Sequence, residues 1–298
     1  MKSVSRDLLH LFGVVAQSGY GRGEIAHFLL TGEEDMKKKV AIRLTYIISN
    51  PEILNDLLFK YNGLEIVMNI ILNENCDVMA AEACNGITVM SLNLNINLPN
   101  EEDVLQRIIP DNYVKYETPE MNENLIKFIV KDGVSYFDKE LLKRSSDVLC
   151  SMLSSDFREL NMNEVHLQDC TVEGIEYFFN LIKLDDAKRL KIIAPKVDSM
   201  DVILQAFELA IRFIITNIQI PLLNVIKIVI SETNALNVFE WSLRNVNQDL
   251  LITSICYFLN GQISGIKKRQ LFKEANQSHF SIQWKQLIID TILMKCQQ

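Results

Sequence analysis

The sequence predicts a mainly α chain: a run of helical repeats, then an α+β domain, then further helices. Three observations carry this expectation. Only six prolines and eleven glycines interrupt 298 residues, which favours helices over a turn-rich β fold. Through residues 1–97 apolar side chains recur three and four apart, the spacing of one helical face. Near residue 125 the spacing becomes that of strands around a turn signal, and then the helical period returns.

The elements follow in order. In "KKKVAIRLTYIIS", Ala41, Leu44, Ile47 and Ile48 share a stripe. "PEILNDLLFKY" opens on Pro51, whose fixed φ and missing N–H suit a first helical turn, and it aligns Ile53, Leu54, Leu57 and Leu58. "LEIVMNIIL" follows Gly63 with Leu64, Val67, Ile70 and Ile71 in phase, and the next helix aligns Met79, Ala83, Ile87 and Met90. Short helices with broad apolar stripes are α-solenoid units, each of which needs a neighbour to bury its face. Residues 98–124 break the pattern with three prolines and many acids, and read as an acidic linker with one short helix over 101–109.

"LIKFIV", "KDG" and "VSYF" predict a hairpin between residues 125–130 and 134–137. One helical stretch is expected over 140–153, then the loop "SSDFREL", then a short strand "EVHL". Thr171 is placed to cap a helix that aligns Val172, Ile175, Phe178, Phe179 and Ile182. "DVILQAFELAIRFI" repeats the pattern with Ile203, Ala206, Phe207, Ala210 and Phe213, and the remainder reads as helices. The domain boundaries are therefore 1–97, 98–124, 125–230 and 231–298.

Composition argues against several function classes. Residues 98–190 hold 11 Lys and Arg against 19 Asp and Glu, which disfavours nucleic-acid binding there and suits a basic partner surface. The longest apolar run, "FIITNIQIPLLNVIKIVI", is broken by Asn217, Gln219, Pro221, Asn224 and Lys227, which argues against a membrane span. Charged Lys2, Arg6 and Asp7 leave no apolar signal core at the N-terminus. Six cysteines without a CxxC pair read as reduced, mostly buried thiols of an intracellular protein. His10, His27, His166 and His279 are too scattered to form a metal site. No nucleophile elbow, phosphate loop or metal helix is present, so neither catalysis nor a cofactor is expected. "GYGRG" (residues 19–23) reads as a helix-connecting turn, "DMKKK" (35–39) as a charged repeat turn, and "KKRQ" (267–270) as a solvated helix face.

The first helices resemble armadillo repeats. "NPEILNDLLFKYNGLEIVMNIIL" has that family's helix, "NG" turn and Gly-Leu-started last helix, and the resemblance covers residues 3–94. Residues 125–230 resemble a BTB domain. Lys139, Leu142, Ser146, Leu149, Met152 and Leu153 match its pattern after the hairpin, and Val165, Leu167, Asp169, Ile175, Phe179 and Ile182 match its later strand–helix pattern. Asp138 stands where that family usually has His, and Leu125 where it usually has Asp, two positions of its charged central pocket. The helices after residue 231 resemble the start of a BACK-type extension.

The whole is similar to the armadillo-plus-BTB proteins. That resemblance implies a non-catalytic, cytoplasmic or nuclear substrate-recognition adaptor of a Cullin-3 RING ubiquitin ligase. The BTB domain would hold Cullin-3 and the repeats would hold a protein substrate; in that family the largest subunit of RNA polymerase II is the suspected one. Cullin-binding BTB domains carry a hydrophobic–x–Glu triplet after the helix pair, and Phe157, Arg158 and Glu159 fit it. The aromatic would supply roughly 1.5–3 kcal/mol if fully desolvated. The glutamate would supply an acceptor that fixes register. The resemblance also implies a homodimer with Leu141 and Leu142 at its interface. The rival reading is a dimeric BTB scaffold or transcriptional regulator that works without Cullin-3.

Overall fold

The computed structural model of the chain describes residues 11–98, 124–154, 163–184, 200–261 and 263–297. It is mainly helical, with one three-stranded sheet. Two compact units emerge. Met1–Leu98 and Ser231–Gln298 form one, and Pro99–Ile230 forms the other, so the second unit is an insertion within the first.

Residues 11–17 are helical, and Ser18 then caps α1 (Gly19–Thr31) by accepting the Gly21 N–H at 3.1 Å. "GYGRG" is therefore the opening of a helix rather than a connecting turn. A Cβ on Gly21 would fall 2.1 Å from the Val15 carbonyl oxygen, so the corner between the two helices requires glycine. Helix α2 (Glu34–Ile47) takes up "DMKKK", which is helical rather than a turn, and Lys38 pairs with Glu74 at 2.6 Å. Pro51 opens α3 (Pro51–Asn55) as read, with the Asn50 side chain accepting the Ile53 N–H at 3.1 Å. A π-helical turn, Asp56–Lys60, follows, and Asn62 at φ 58° redirects the chain into α4 (Gly63–Asn73). Helix α5 (Asp77–Asn93) completes the segment. The anticipated stripes turn inward, except that Ile47 and Met79 are half-buried while Ile42 and Ala80 are buried beside them.

Helices α2 and α5 approach each other at Gly86. A Cβ there would sit 2.2 Å from Thr45 Oγ1 and 3.1 Å from the Tyr46 ring. Thr45 is buried, and its hydroxyl donates to the Ile42 carbonyl at 2.6 Å. Gly86→Ala is expected to destabilise the helical unit by about 1–3 kcal/mol through overpacking. In a double-mutant cycle, Thr45→Ala should relieve most of that loss; denaturant melts of the four proteins check the coupling.

The inserted unit opens with β1 (Leu125–Val130) and β2 (Gly133–Asp138), antiparallel from Leu125 opposite Asp138 to Val130 opposite Gly133. The hairpin lies where the strand period and the "KDG" turn placed it. Helices α6 (Lys139–Ser145) and α7 (Asp147–Ser154) follow. The single helix expected over 140–153 is broken, because Ser146 adopts an extended conformation and caps α7. Its hydroxyl accepts the N–H groups of Val148 and Leu149 and donates to the Phe213 carbonyl at 2.5 Å. Strand β3 (Glu164–Leu167) then lies parallel to β1, giving the order β2-β1-β3. Helices α8 (Val172–Lys183), α9 (Met200–Arg212) and α10 (Thr216–Val229) complete the unit. Thr171 caps α8 as anticipated, accepting the Gly174 N–H at 3.2 Å. The core centres on Phe179, stacked on Phe137 at 4.2 Å and edge-on to Phe128 at 5.0 Å.

The last four helices are α11 (Ala235–Arg244), α12 (Gln248–Asn260), α13 (Gly265–Gln277) and α14 (Ser281–Cys296). The BACK-type resemblance leads to the expectation that residues 231–298 extend the preceding domain. Packing places them with the N-terminal helices instead: α13 lies on α4 and α5, α12 on α5, and α14 on α3. Phe258, Phe272 and Trp284 meet edge-to-face between α12, α13 and α14, with Phe272 and Trp284 5.2 Å apart.

Two cations fasten the halves. Lys268 and Arg269 are buried, so "KKRQ" is not a solvated face. Arg269 Nε donates to the Ile71 carbonyl at 3.2 Å, while its other nitrogens bond the Glu74 carbonyl and the Asp77 carboxylate. One guanidinium thus satisfies carbonyls at the end of α4 and pairs with the start of α5.

Candidate interaction surfaces

Phe157, Arg158 and Glu159 lie outside the described residues, within 155–162. Their flanks are firmly held. On one side, Leu149 and Leu153 of α7 are fully buried and Ser146 ties the start of that helix to Phe213. On the other, Asn163 adopts a left-handed conformation at φ 54°. Its side-chain amide donates to the Leu125 carbonyl at 3.1 Å, and its carbonyl accepts the Lys127 N–H at 3.2 Å. Lys127 and Glu164 close the same seam at 2.7 Å.

The two positions proposed for a dimer interface part company. Leu141 is 37 % exposed on α6, whereas Leu142 is fully buried in the core. Leu142 therefore offers no surface to a partner, and the interface assignment reduces to Leu141. The reason is helical phase: adjacent residues on a helix point about 100° apart, so one can face outward while the next enters the core. Val148, 36 % exposed, is a further apolar side chain on the helix pair.

Asp138 and Leu125 have local structural uses. Asp138 accepts the Leu141 N–H at 3.0 Å and caps α6. Leu125, 4 % exposed, belongs to the strand core and pairs directly with Asp138 across the hairpin.

A second polar cluster joins the turn after β3 to α9. Arg212 binds the Asp169 carboxylate and reaches Glu208 at 3.1 Å. That hydrogen bond holds the Asp169 carboxyl below its usual range. Cys170 beside it is buried, which pushes its thiol up to about 12 and leaves it inert as a nucleophile at neutral pH. The cleft between these side chains has room for about 10 Å³, scarcely one water, so it suits no small-molecule ligand.

All six cysteines are free thiols; Cys84, Cys170, Cys256 and Cys296 are buried, and Cys76 is exposed. Among the described residues, no group of three or more His, Cys, Asp or Glu side chains is placed to hold a metal ion. Nor is any helix among them long and apolar enough to cross a membrane.

Comparison with protein-family models, with curated proteins and with solved structures finds no match to this chain. Sequence reasoning missed Ser146, Asp138, Lys268 and Arg269 as structural fasteners. For the last two a signal existed: Gly265, Lys268, Arg269, Phe272 and Ala275 recur at spacings of three and four, which puts both cations on the buried stripe.

Proposed function

We propose that the chain is a non-catalytic substrate-recognition adaptor of a Cullin-3 RING ubiquitin ligase. The inserted unit receives the cullin through the loop carrying Phe157 and Glu159. The discontinuous helical unit holds a protein substrate. The observation that supports this best is the connectivity of the inserted unit. A two-residue hairpin leads into a capped helix pair, and after residues 155–162 a third strand returns parallel to the first and is followed by helices. This is the order that the BTB resemblance implies, and it puts the triplet between two anchored points. The test is titration of the full chain against the N-terminal region of Cullin-3. Saturable one-to-one binding supports the reading, and absence of binding at high micromolar concentration rejects it.

The rival scaffold reading rests on Leu141, an exposed apolar residue on the helix after the hairpin. If that helix forms a two-fold contact, Leu141→Arg places like charges across the axis and should convert dimer to monomer in sedimentation. A wild-type chain that is monomeric at micromolar concentration ends the dimer reading, and a dimer indifferent to Leu141→Arg moves the contact elsewhere.

A further inference from the structure

We infer that Lys268 is a proton-sensitive latch on the discontinuous helical unit, loosening the hold between its N- and C-terminal segments when the amine is charged and tightening it when the amine is neutral. Lys268 is fully buried where α5, α12 and α13 meet, the place where the two ends of the chain close on each other. Its amine donates to the Thr88 hydroxyl of α5 and, at 2.9 Å, to the Leu259 carbonyl of α12. Both acceptors are neutral, and among the described residues no carboxylate lies within ion-pair reach of it. A buried ammonium with neutral partners is costly, whereas a buried amine is not.

The surrounding charges are committed elsewhere. Helix α5 faces Lys268 with the Cys84 thiol, which burial pushes up to about 12, so it stays neutral. On α13 the neighbours are like charges: Lys267 pairs with Glu232, and Arg269 with Asp77. At the end of α4, Glu74 is held by Lys38. On α12, Tyr257 is influenced by Glu232. On α11, Glu240 and Arg244 pair with each other, and on α14 Asp290 holds Gln286 while Lys295 acts on Cys256. Burial lowers the Lys268 amine from 10.5 to about 8.

The sign follows from linkage. When the segments separate, Lys268 meets water and regains its ordinary proton affinity, so the open form binds more protons than the closed form. The closed form therefore gains as pH rises from about 8 towards 10.5, loses that gain as pH falls back to about 8, and levels off below it. With those two values, the open-to-closed ratio should drop about tenfold between roughly pH 7 and pH 9.

Cys84 gives the readout, because it lies buried against Lys268 while Cys76 is exposed. Alkylation of Cys84 relative to Cys76, followed by mass spectrometry in the full chain, cancels the pH dependence of the reagent. In the wild type the Cys84-to-Cys76 ratio should fall about tenfold over that range. In Lys268→Met and in Lys268→Gln, which keeps donors for Thr88 and Leu259, the ratio should be flat, and circular dichroism establishes that each variant is folded. A wild-type ratio that is flat or rises with pH overturns the proposal, as does an equal fall in a folded variant. If neither variant folds, the wild-type profile alone decides.

Discussion

Arg269→Ala is expected to destabilise the helical unit by about 3 kcal/mol, with Arg269→Lys nearly as damaging. The residue is 6 % exposed, so its contacts are poorly replaced by water. Truncation strands the carbonyls of Ile71 and Glu74 and frees Asp77. Lysine carries the charge but lacks the planar fork that reaches three acceptors at once. The damage should stay within one unit. The chain has two tryptophans, Trp241 and Trp284, and both belong to the helical unit, so fluorescence follows that unit alone. The expected result is a lower denaturation midpoint by fluorescence, with unchanged hydrogen-exchange protection in Leu125–Val130 and Gly133–Asp138. Equal loss in both probes would mean that the insertion does not unfold separately from its host. An unchanged fluorescence midpoint would mean that the guanidinium contacts contribute nothing.

What the sequence revealed depended on the range of the interaction. The hairpin was legible because alternation and the "KDG" turn are encoded within fourteen residues, Leu125 to Asp138. Pro51 at a first helical turn and the cap at Thr171 were equally local. Ser146 was not legible, because one of its partners is the Phe213 carbonyl, 67 residues away. Without that partner a serine inside a helical pattern looks unremarkable. The discontinuous unit was hidden for the same reason. Nothing in the spacing of residues 231–298 says which apolar face they will meet. The side chains that fasten them, Lys268 and Arg269, are of a type that is rarely buried unless paired. Composition outweighed phase in reading "KKRQ", and phase was the better guide. Leu141 and Leu142 teach the converse: the resemblance pointed to a helix, and only packing separated its exposed residue from its buried one.

Phe157→Ala is expected to weaken Cullin-3 binding at least about 25-fold, corresponding to about 2 kcal/mol at a hot-spot aromatic. The expectation rests on the triplet's resemblance to cullin-binding loops and on the anchoring of its flanks. Those flanks are Leu153, buried in the core, and Asn163, whose side-chain amide donates to the Leu125 carbonyl. Glu159→Ala should do less, and its effect should fall mainly on the association rate and shrink with added salt, as for a charge at an interface rim. Neither change should alter folding, since the neighbouring core rests on Leu149, Leu153 and Phe179. The measurement is a titration of each variant against the cullin's N-terminal region, with a thermal melt alongside. Normal binding by Phe157→Ala excludes the loop as the docking site. Weak binding together with a much lower melting temperature makes Phe157 a core residue, and the docking role passes to some other surface. Weak binding with an unchanged melt leaves the aromatic as the contact itself, because a side chain that does not support its own fold yet controls affinity must be touching the partner.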